Sequence, residues 1–260
     1  MTKALFFDVD GTLVSFNTHS IPQSAVDALA EAKSRGAMVF ISTGRPVRLI
    51  NNLGRIEHLI DGYITANGAC CTVGGKVIDC REIPGAEARA LVDAAMREGF
   101  ASLVVGERDL TVVNDNADVD RLFRRMLAVS DLGEGTPLET VLSQRVIQLT
   151  PIIGEDRERG LMRMLPSCVS ARWYPDFTDI TAIGADKGTA LKTVAAHLGI
   201  DIKDTIAFGD GANDKPILRA AGTGVAMGNA ADDVKAAADY VADTVDDDGL
   251  AKALRHLNVI

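Results

Sequence analysis

The sequence predicts an α/β fold, a doubly wound, Rossmann-like parallel sheet with an inserted α+β cap domain. Three observations predict it. Short apolar segments alternate with helical patterns at the start of the chain, this alternation resumes after residue 187, and the segment between contains neighbouring strands without an intervening helix. Strand–helix alternation indicates parallel βαβ units, whereas neighbouring strands indicate an antiparallel sheet. We therefore predict a discontinuous core over residues 1–82 and 184–260 and an inserted cap domain over residues 83–183.

The first 80 residues supply the opening elements of the core. The segment KALFFDV is apolar throughout, as expected of a buried parallel strand. The next pattern is helical, with Ser20 and Gln23 as a capping box and Gly36 as the stop. The remaining predicted elements are a strand in AMVFIST, a second helix opened by Gly44-Arg45-Pro46, a strand in GYITAN and a hairpin in CCTVGGKVIDC.

The pattern changes in the inserted segment and then returns to α/β alternation. The insert has three predicted helices and five predicted strands, with the helices over residues 86–99, 118–129 and 155–165 and the strands over 101–106, 110–114, 145–150, 169–173 and 178–183. After it come a helix beginning at Lys187, the strand TIAFGD, a helix from Asn213 and the strand GVAM. The core is thus predicted to be completed by the end of the chain.

Composition narrows the class of protein. The chain has 260 residues, 47% of them hydrophobic, and a formal net charge of −9, which argues against a nucleic-acid partner. No apolar run approaches the length of a membrane span, and the first strand leaves no room for a secretory signal. The four cysteines lack metal or disulfide spacing. We expect a soluble, cytoplasmic protein, a monomer or weak homo-oligomer without a nucleic-acid or membrane partner.

Polar or glycine-rich residues follow three predicted core strands and open the helix that re-enters the core. Asp8 and Asp10 end the first strand, where alternation of side chains points them to the same side. Ser42-Thr43-Gly44-Arg45 ends the second strand, GDGAND ends the strand at residues 205–208, and Lys187-Gly188 begins the returning helix. Ligands of open α/β sheets bind beyond the carboxyl ends of the strands, so one site is expected there.

Two other motif readings fit poorly. Asp-x-Asp-Gly also occurs in calcium loops, but those end in a glutamate at the twelfth position, where this sequence has His19. Gly222, Gly224 and Gly228 resemble a dinucleotide fingerprint whose last spacing is one residue too long.

These four motifs are those of the haloacid dehalogenase-like phosphatases, and the chain resembles a Cof-type member with a type IIB cap. The similarity spans almost the whole chain, through ITANGA, GADKGTAL, IAFGDGANDKPIL, GVAMGNA and DDDGLAKAL. The segment WYPDF is similar to that of members that hydrolyse hexose phosphates. The resemblance implies a Mg²⁺-dependent phosphatase acting on small phosphorylated metabolites.

The resemblance also implies a role for each motif residue. Asp8 is the expected nucleophile, forming an aspartyl-phosphate, and Asp10 the general acid and base. Mg²⁺ is expected on Asp8, Asp210 and the backbone carbonyl of Asp10, with Asp214 orienting these ligands. The expected phosphate-binding residues are Val9, Thr43, Gly44, Lys187 and Asn213.

Several points stay open at the level of sequence. For Arg45, beside the second motif, a salt bridge and a phosphate contact are equally compatible. Trp173 and Tyr174 belong either to the cap core or to a wall against the substrate, and they are expected with Asp176 to set specificity. A phosphomutase of the same superfamily and a non-catalytic phosphosugar-binding regulator are the alternative functions.

Overall fold

The computed structural model describes residues 3–129 and 131–260, apart from the side chain of Trp173, and forms two compact units. The first unit comprises residues up to 44, 52–79 and 186–260, and the second comprises residues 45–51 and 80–185. The strands are β1 (Ala4–Phe7), β2 (Met38–Ser42), β3 (Gly62–Thr65), β4 (Cys70–Val73), β5 (Lys76–Cys80), β6 (Ser102–Gly106), β7 (Leu110–Val113), β8 (Val146–Pro151), β9 (Cys168–Tyr174), β10 (Phe177–Ala182), β11 (Thr205–Gly209), β12 (Thr223–Ala226) and β13 (Tyr240–Val241). The helices are α1 (Gln23–Ser34), α2 (Gly85–Glu98), α3 (Ala117–Val119), α4 (Leu138–Leu142), α5 (Glu155–Met162), α6 (Lys187–Leu198), α7 (Lys215–Ala220), α8 (Asp232–Lys235) and α9 (Gly249–His256).

The first unit is built on an eight-stranded sheet in the order β13-β12-β11-β1-β2-β3-β4-β5. The strands from β13 to β3 pair in parallel, and β4 pairs antiparallel to β3. All four residues of β1 are buried, and its Phe6 and Phe7 stack on Phe40 and Phe208 at ring-centroid distances of 4.9 and 4.8 Å. This confirms the predicted α/β class. It also explains the continuous apolar runs, because a parallel sheet is covered on both faces.

The strand order brings the polar strand ends together. β11, β1, β2 and β3 are consecutive neighbours and run in the same direction. Their carboxyl ends therefore lie along one edge of the sheet, and the loops that follow them are adjacent.

The second unit contains a five-stranded sheet in the order β7-β6-β8-β10-β9, whose paired strands are antiparallel. Val104, Leu149 and Ile180 of this sheet share a buried apolar cluster with Leu91 of α2 and Leu161 of α5. The second unit thus has its own core, as expected of the α+β pattern.

The predicted capping box at α1 is wrong. The helix begins at Gln23, and the residue before it, Pro22, has an extended backbone and provides no side-chain cap. Ser20 lies two positions before the N-cap residue Pro22, too early to cap this helix, and its hydroxyl is instead 3.0 Å from that of Thr18. Gln23 Nε2 donates to Asp27 Oδ1 at 2.7 Å along the helix, so neither partner of the predicted box reaches the backbone that it was meant to satisfy.

The predicted second helix is also absent from this part of the chain. Pro46 is extended, and a single 3-10 turn (Val47–Leu49) follows before Ile50 returns to an extended backbone. The Leu49 carbonyl accepts a hydrogen bond from Arg45 Nη1 at 3.1 Å, and the Asn51 side chain donates to the Ala128 carbonyl at 2.5 Å. In a continued α-helix the Leu49 carbonyl would instead accept from the backbone amide four residues later.

The helix predicted over residues 118–129 exists but changes type. Asn116 caps α3 through Oδ1, which accepts from the amides of Asp118 and Val119. From Asp120 to Met126 the backbone is a π-helix, and the Leu127 amide bonds to the Leu122 carbonyl five residues back. Such a widened turn is not visible in the periodicity of the sequence.

Within the described residues, no helix has both the length and the apolar character that crossing a membrane requires.

Candidate active site

The loop after β1 forms the centre of the site. The Asp8 amide continues the strand pairing by donating to the Phe208 carbonyl at 3.0 Å. The Val9 carbonyl then accepts from three amides, those of residues 12, 13 and 14, which folds the loop tightly. Gly11 has φ +87°, and a Cβ there would lie 2.2 Å from Asp210 Oδ2. Only glycine permits this conformation and this approach, so the DxDG order has a direct structural cause.

Lys187 lies opposite Asp8, at the first turn of α6. The Asp186 side chain caps this helix by accepting from the Thr189 amide at 2.8 Å. The Lys187 side chain is fully buried, and Nζ lies 2.7 Å from Asp8 Oδ1 and 2.6 Å from Asp214 Oδ1. The structure therefore brings Asp8 and the GDGAND motif together around one buried ammonium group.

Asp214 organises the loop that follows β11. Its Oδ2 accepts from the amides of Asp210 and Gly211 at 3.0 and 2.8 Å, while Oδ1 contacts Lys187. Both carboxylate oxygens are thus occupied by groups of the protein. This arrangement suits a residue that holds Lys187 and the Asp210–Gly211 backbone in place.

Two residues that sequence reasoning missed hold the Asp210 carboxylate. Thr12 donates from its hydroxyl to Asp210 Oδ1 at 3.0 Å. Asn229 Nδ2 lies 2.9 Å from the Gly11 carbonyl and 3.3 Å from Asp210 Oδ2, and its Oδ1 accepts from the Val245 amide. Asn229 follows β12 in the segment GVAMGNA, so its place after another parallel strand of the same sheet was the available signal.

The second strand end is joined to the other loops by a third missed residue, Asn67. The buried Thr43 accepts at its carbonyl from the Asn67 amide at 3.1 Å. Asn67 Oδ1 accepts in turn from Asn213 Nδ2 at 2.9 Å. Gly44 lies against this pair, since a Cβ there would be 3.0 Å from Asn67 Oδ1 and 3.5 Å from Asn213 Nδ2. Thr43, Gly44 and Asn213 therefore lie in one group.

The site carries unbalanced negative charge. Burial, followed by repulsion from Asp214, raises the pKa of Asp8 well above its usual value, and Lys187 only partly offsets this. Burial and Asp214 also raise the pKa of Asp210, to about 7. Burial acts to lower the pKa of Lys187, but the Asp214 and Asp8 carboxylates outweigh it and raise that pKa. Two like charges about 4 Å apart repel by roughly 4 kcal/mol at an effective dielectric constant of about 20.

The acidic residues have the composition of a site for a hard cation. Asp8, Asp210 and Asp214 each offer a carboxylate oxygen, and these oxygens lie within 4.8 Å of one another. Asp214 is only 1% exposed, and its two oxygens are bonded to Lys187 and to two backbone amides, whereas Asp210 is partly exposed and Asp8 has only one oxygen bonded to Lys187. Asp8 and Asp210 are therefore the better-placed ligands. Oxygen donors and uncompensated charge together fit a divalent metal such as Mg²⁺. Asp10, at the same strand end, is partly exposed.

The remaining predicted site residues belong to the second unit. Arg45 donates to the Leu49 carbonyl of its own turn. Tyr174 stacks on the buried Phe177 at a ring-centroid distance of 5.6 Å, and Asp176 pairs with Arg121 at 2.8 Å. The side chain of Trp173 lies outside the described residues.

Comparison with known proteins gives the same assignment as the motifs. The model of the haloacid dehalogenase-like hydrolase family matches residues 5–254. YkrA of Bacillus subtilis, named as a phosphatase, is 32% identical over 260 residues, covering 100% of this chain and 99% of its own. YcsE of the same organism, named a 5-amino-6-(5-phospho-D-ribitylamino)uracil phosphatase, is 29% identical over 98% of this chain and 95% of its own.

A comparison with solved structures gives the same family. The sugar phosphatase BT4131, of haloacid dehalogenase subclass IIB, superimposes with a TM-score of 0.92 and 45% identity over 100% of both chains. A family match across nearly the whole sequence, with relatives and structures that share its full length, leaves one assignment. The chain belongs to the haloacid dehalogenase-like hydrolases and is a phosphatase.

Proposed function

We propose that this protein is a Mg²⁺-dependent phosphomonoesterase that hydrolyses sugar phosphates, hexose phosphates in particular, through an aspartyl-phosphate on Asp8. The observation that carries the proposal is the buried contact of Lys187 with Asp8 and Asp214, beside the Asp210 carboxylate at the end of the neighbouring strand β11. A structural ion pair needs no third carboxylate beside it. A phosphoryl-transfer site needs both the nucleophile and the excess of negative ligands for a metal.

The proposed reaction has two steps. In the first, an Asp8 carboxylate oxygen bonds to phosphorus as the ester P–O bond breaks, and Asp10 gives its proton to the departing alkoxide. In the second, Asp10 takes a proton from water as that water attacks phosphorus, which releases inorganic phosphate and restores Asp8. Lys187, the Gly44 amide, Val9, Thr43 and Asn213 are proposed to bind the phosphoryl oxygens.

The metal is proposed to be held by Asp8, Asp210 and the backbone carbonyl of Asp10. When bound, Mg²⁺ offsets the repulsion between the phosphate and the carboxylates and stabilises charge on the transferring group. Thr12 and Asn229 fix the Asp210 carboxylate, and Asp214 holds the backbone that presents it.

The proposed substrate class rests on the relatives. BT4131 is named a sugar phosphatase at 45% identity, whereas YcsE is named for a phosphorylated ribitylaminouracil. The relatives therefore do not all act on the same class of phosphate ester. BT4131 is the more similar of these two proteins, so we favour a sugar phosphate as the substrate.

A panel of phosphorylated metabolites tests this proposal. We expect release of inorganic phosphate, fastest from hexose phosphates, with Asp8→Asn as the inactive control. Return of the phosphoryl group to another position of the sugar would indicate a phosphomutase. Saturable binding with no turnover of any ester would indicate a regulator.

Removal of the metal is expected to stop turnover. EDTA treatment should reduce activity to background and Mg²⁺ should restore it, while Ca²⁺ should support little activity. Ca²⁺ takes more ligands at longer distances, so it is expected to hold the reacting groups in a less favourable geometry. The measurement is phosphate release after dialysis against each metal. Full activity of a metal-free preparation, verified by elemental analysis, would contradict the role proposed for Asp210.

Substrate choice is expected to depend on the second unit. Substitution of Trp173 or Tyr174 and the change Asp176→Asn should alter the ranking of sugar phosphates by about tenfold, the scale of 1–3 kcal/mol of lost pocket contacts. The control is Asp118→Asn, because Asp118 and Asp176 both pair with Arg121 Nη2 and both are exposed. The measurement is kcat/KM across the panel. Equal changes for every ester, or the same change in the control, would point to a structural role.

A further inference from the structure

Asn67 has a conformation that only a few residue types tolerate. It follows β3 in a turn where Ala66, Asn67 and Gly68 have φ angles of +49°, +53° and +98°. Left-handed backbone is unfavourable for residues with a Cβ, and strained residues of this kind concentrate at functional sites. The turn is packed against the start of α6, because a Cβ at Gly68 would lie 2.4 Å from the Asp186 carbonyl oxygen.

The Asn67 side chain is buried, and only one of its two polar atoms has a hydrogen-bond partner among the described residues. Its Oδ1 accepts from Asn213 Nδ2, and its backbone amide donates to the Thr43 carbonyl. Its Nδ2 has no hydrogen-bond partner in the part of the protein that the structure describes, and the residue is only 6% exposed. A buried donor without an acceptor is costly, so such groups are rare in folded proteins.

The unpaired donor lies among the predicted phosphate-binding groups. A Cβ at Gly44 would be 3.3 Å from Asn67 Nδ2 and 3.5 Å from Asn213 Nδ2. Three donors, the two side-chain amides and the backbone of Gly44, thus lie in one group at the ends of β2, β3 and β11. An anionic oxygen is the acceptor that such a group of donors would bind most strongly.

We propose that Asn67 is a further phosphate-binding residue, which donates from Nδ2 to an oxygen of the transferring phosphoryl group while Oδ1 orients Asn213. This inference rests on the proposed function. A purely conformational role would be served as well by glycine, which adopts positive φ freely and leaves no amide buried. The bond from Asn213 accounts for Oδ1 of the carboxamide, but the buried Nδ2 is accounted for only if something accepts from it.

The test uses Asn67→Gly, which removes the carboxamide at a position where glycine fits the backbone. The matched control is Asn258→Gly, because Asn258 has the same φ of +53° and lies exposed after α9. A second variant, Asn67→Asp, has the same shape and keeps an acceptor for Asn213, but it places an anionic oxygen where the donor was.

We expect Asn67→Gly to lower kcat/KM about 10- to 100-fold, the range for a lost hydrogen bond to a charged group, for hexose phosphate and p-nitrophenyl phosphate alike. Binding of inorganic phosphate with Mg²⁺ present, measured by calorimetry, should weaken by a similar factor. Asn67→Asp should lose more than Asn67→Gly, an order that a structural role does not produce. Circular dichroism should show all three variants folded.

Three outcomes would overturn the inference while leaving the proposed function intact, provided that the wild type hydrolyses phosphate esters. They are wild-type kcat/KM and phosphate affinity in Asn67→Gly, an equal loss in Asn258→Gly, and an Asn67→Asp variant as active as the wild type. Failure of the wild type to hydrolyse any ester would instead overturn the proposed function, and this inference with it.

Discussion

Asp8→Asn is expected to abolish turnover while the protein stays folded and still binds phosphorylated substrate. Asparagine has the same shape, and its amide oxygen can still accept from Lys187, whose second bond to Asp214 at 2.6 Å is unaffected. The amide oxygen is, however, too weak a nucleophile to attack phosphorus. Loss of a nucleophile typically lowers the rate by about 10⁴-fold or more.

The measurement is kcat for the best ester of the panel, with Asp118→Asn as an exposed Asp-to-Asn control that should match the wild type. Binding of inorganic phosphate by calorimetry shows whether the variant site is intact. A variant that retains more than about one hundredth of the wild-type rate would mean that Asp8 is not the nucleophile.

Asp10→Asn is expected to slow phosphorylation of the enzyme by an amount that depends on the leaving group. A sugar alkoxide is strongly basic and needs a proton as the P–O bond breaks, whereas p-nitrophenolate leaves without one. The variant should therefore be slowed by about 10²–10⁴-fold with hexose phosphate and far less with p-nitrophenyl phosphate. The phosphorylated enzyme should then persist, because the same carboxylate is proposed to activate the water.

Rapid-quench single turnovers with both esters measure this difference. The wild type, studied under the same conditions, gives the reference for each ester. Equal slowing with the two leaving groups would show that Asp10 serves the metal or the fold and not proton transfer.

The core strands and the grouping of the motifs could be predicted from sequence because they rest on strong local patterns. The fully buried β1 gives an uninterrupted apolar run that ends at Asp8. The strand order that neighbours β11, β1 and β2 then brings Asp210 and Thr43 to the same edge as Asp8, as the rule for parallel sheets predicts. The contacts of Lys187 with Asp8 and Asp214 follow from this topology.

The parts that were missed depend on local backbone geometry in two cases and on a contact between residues distant in sequence in the third. Ser20 and Gln23 match a capping box locally, but the extended Pro22 places the start of α1 later. The second helix is replaced by a turn whose last carbonyl is bound by Arg45. Asparagine is common in turns with a left-handed backbone. The sequence alone therefore does not show whether Asn67 serves only the turn or also binds Asn213.

The covalent phosphoenzyme is the central claim, and trapping it is the most direct test. Asp10→Asn protein is mixed with p-nitrophenyl phosphate and Mg²⁺, then reduced with borohydride, which converts an acyl phosphate to an alcohol. Peptide mass spectrometry should find homoserine in place of aspartate at position 8, and at no other position. It should find none in a sample without ester or in Asp8→Asn. Release of p-nitrophenol by the Asp10→Asn protein with aspartate intact at position 8, or homoserine elsewhere, would contradict the mechanism.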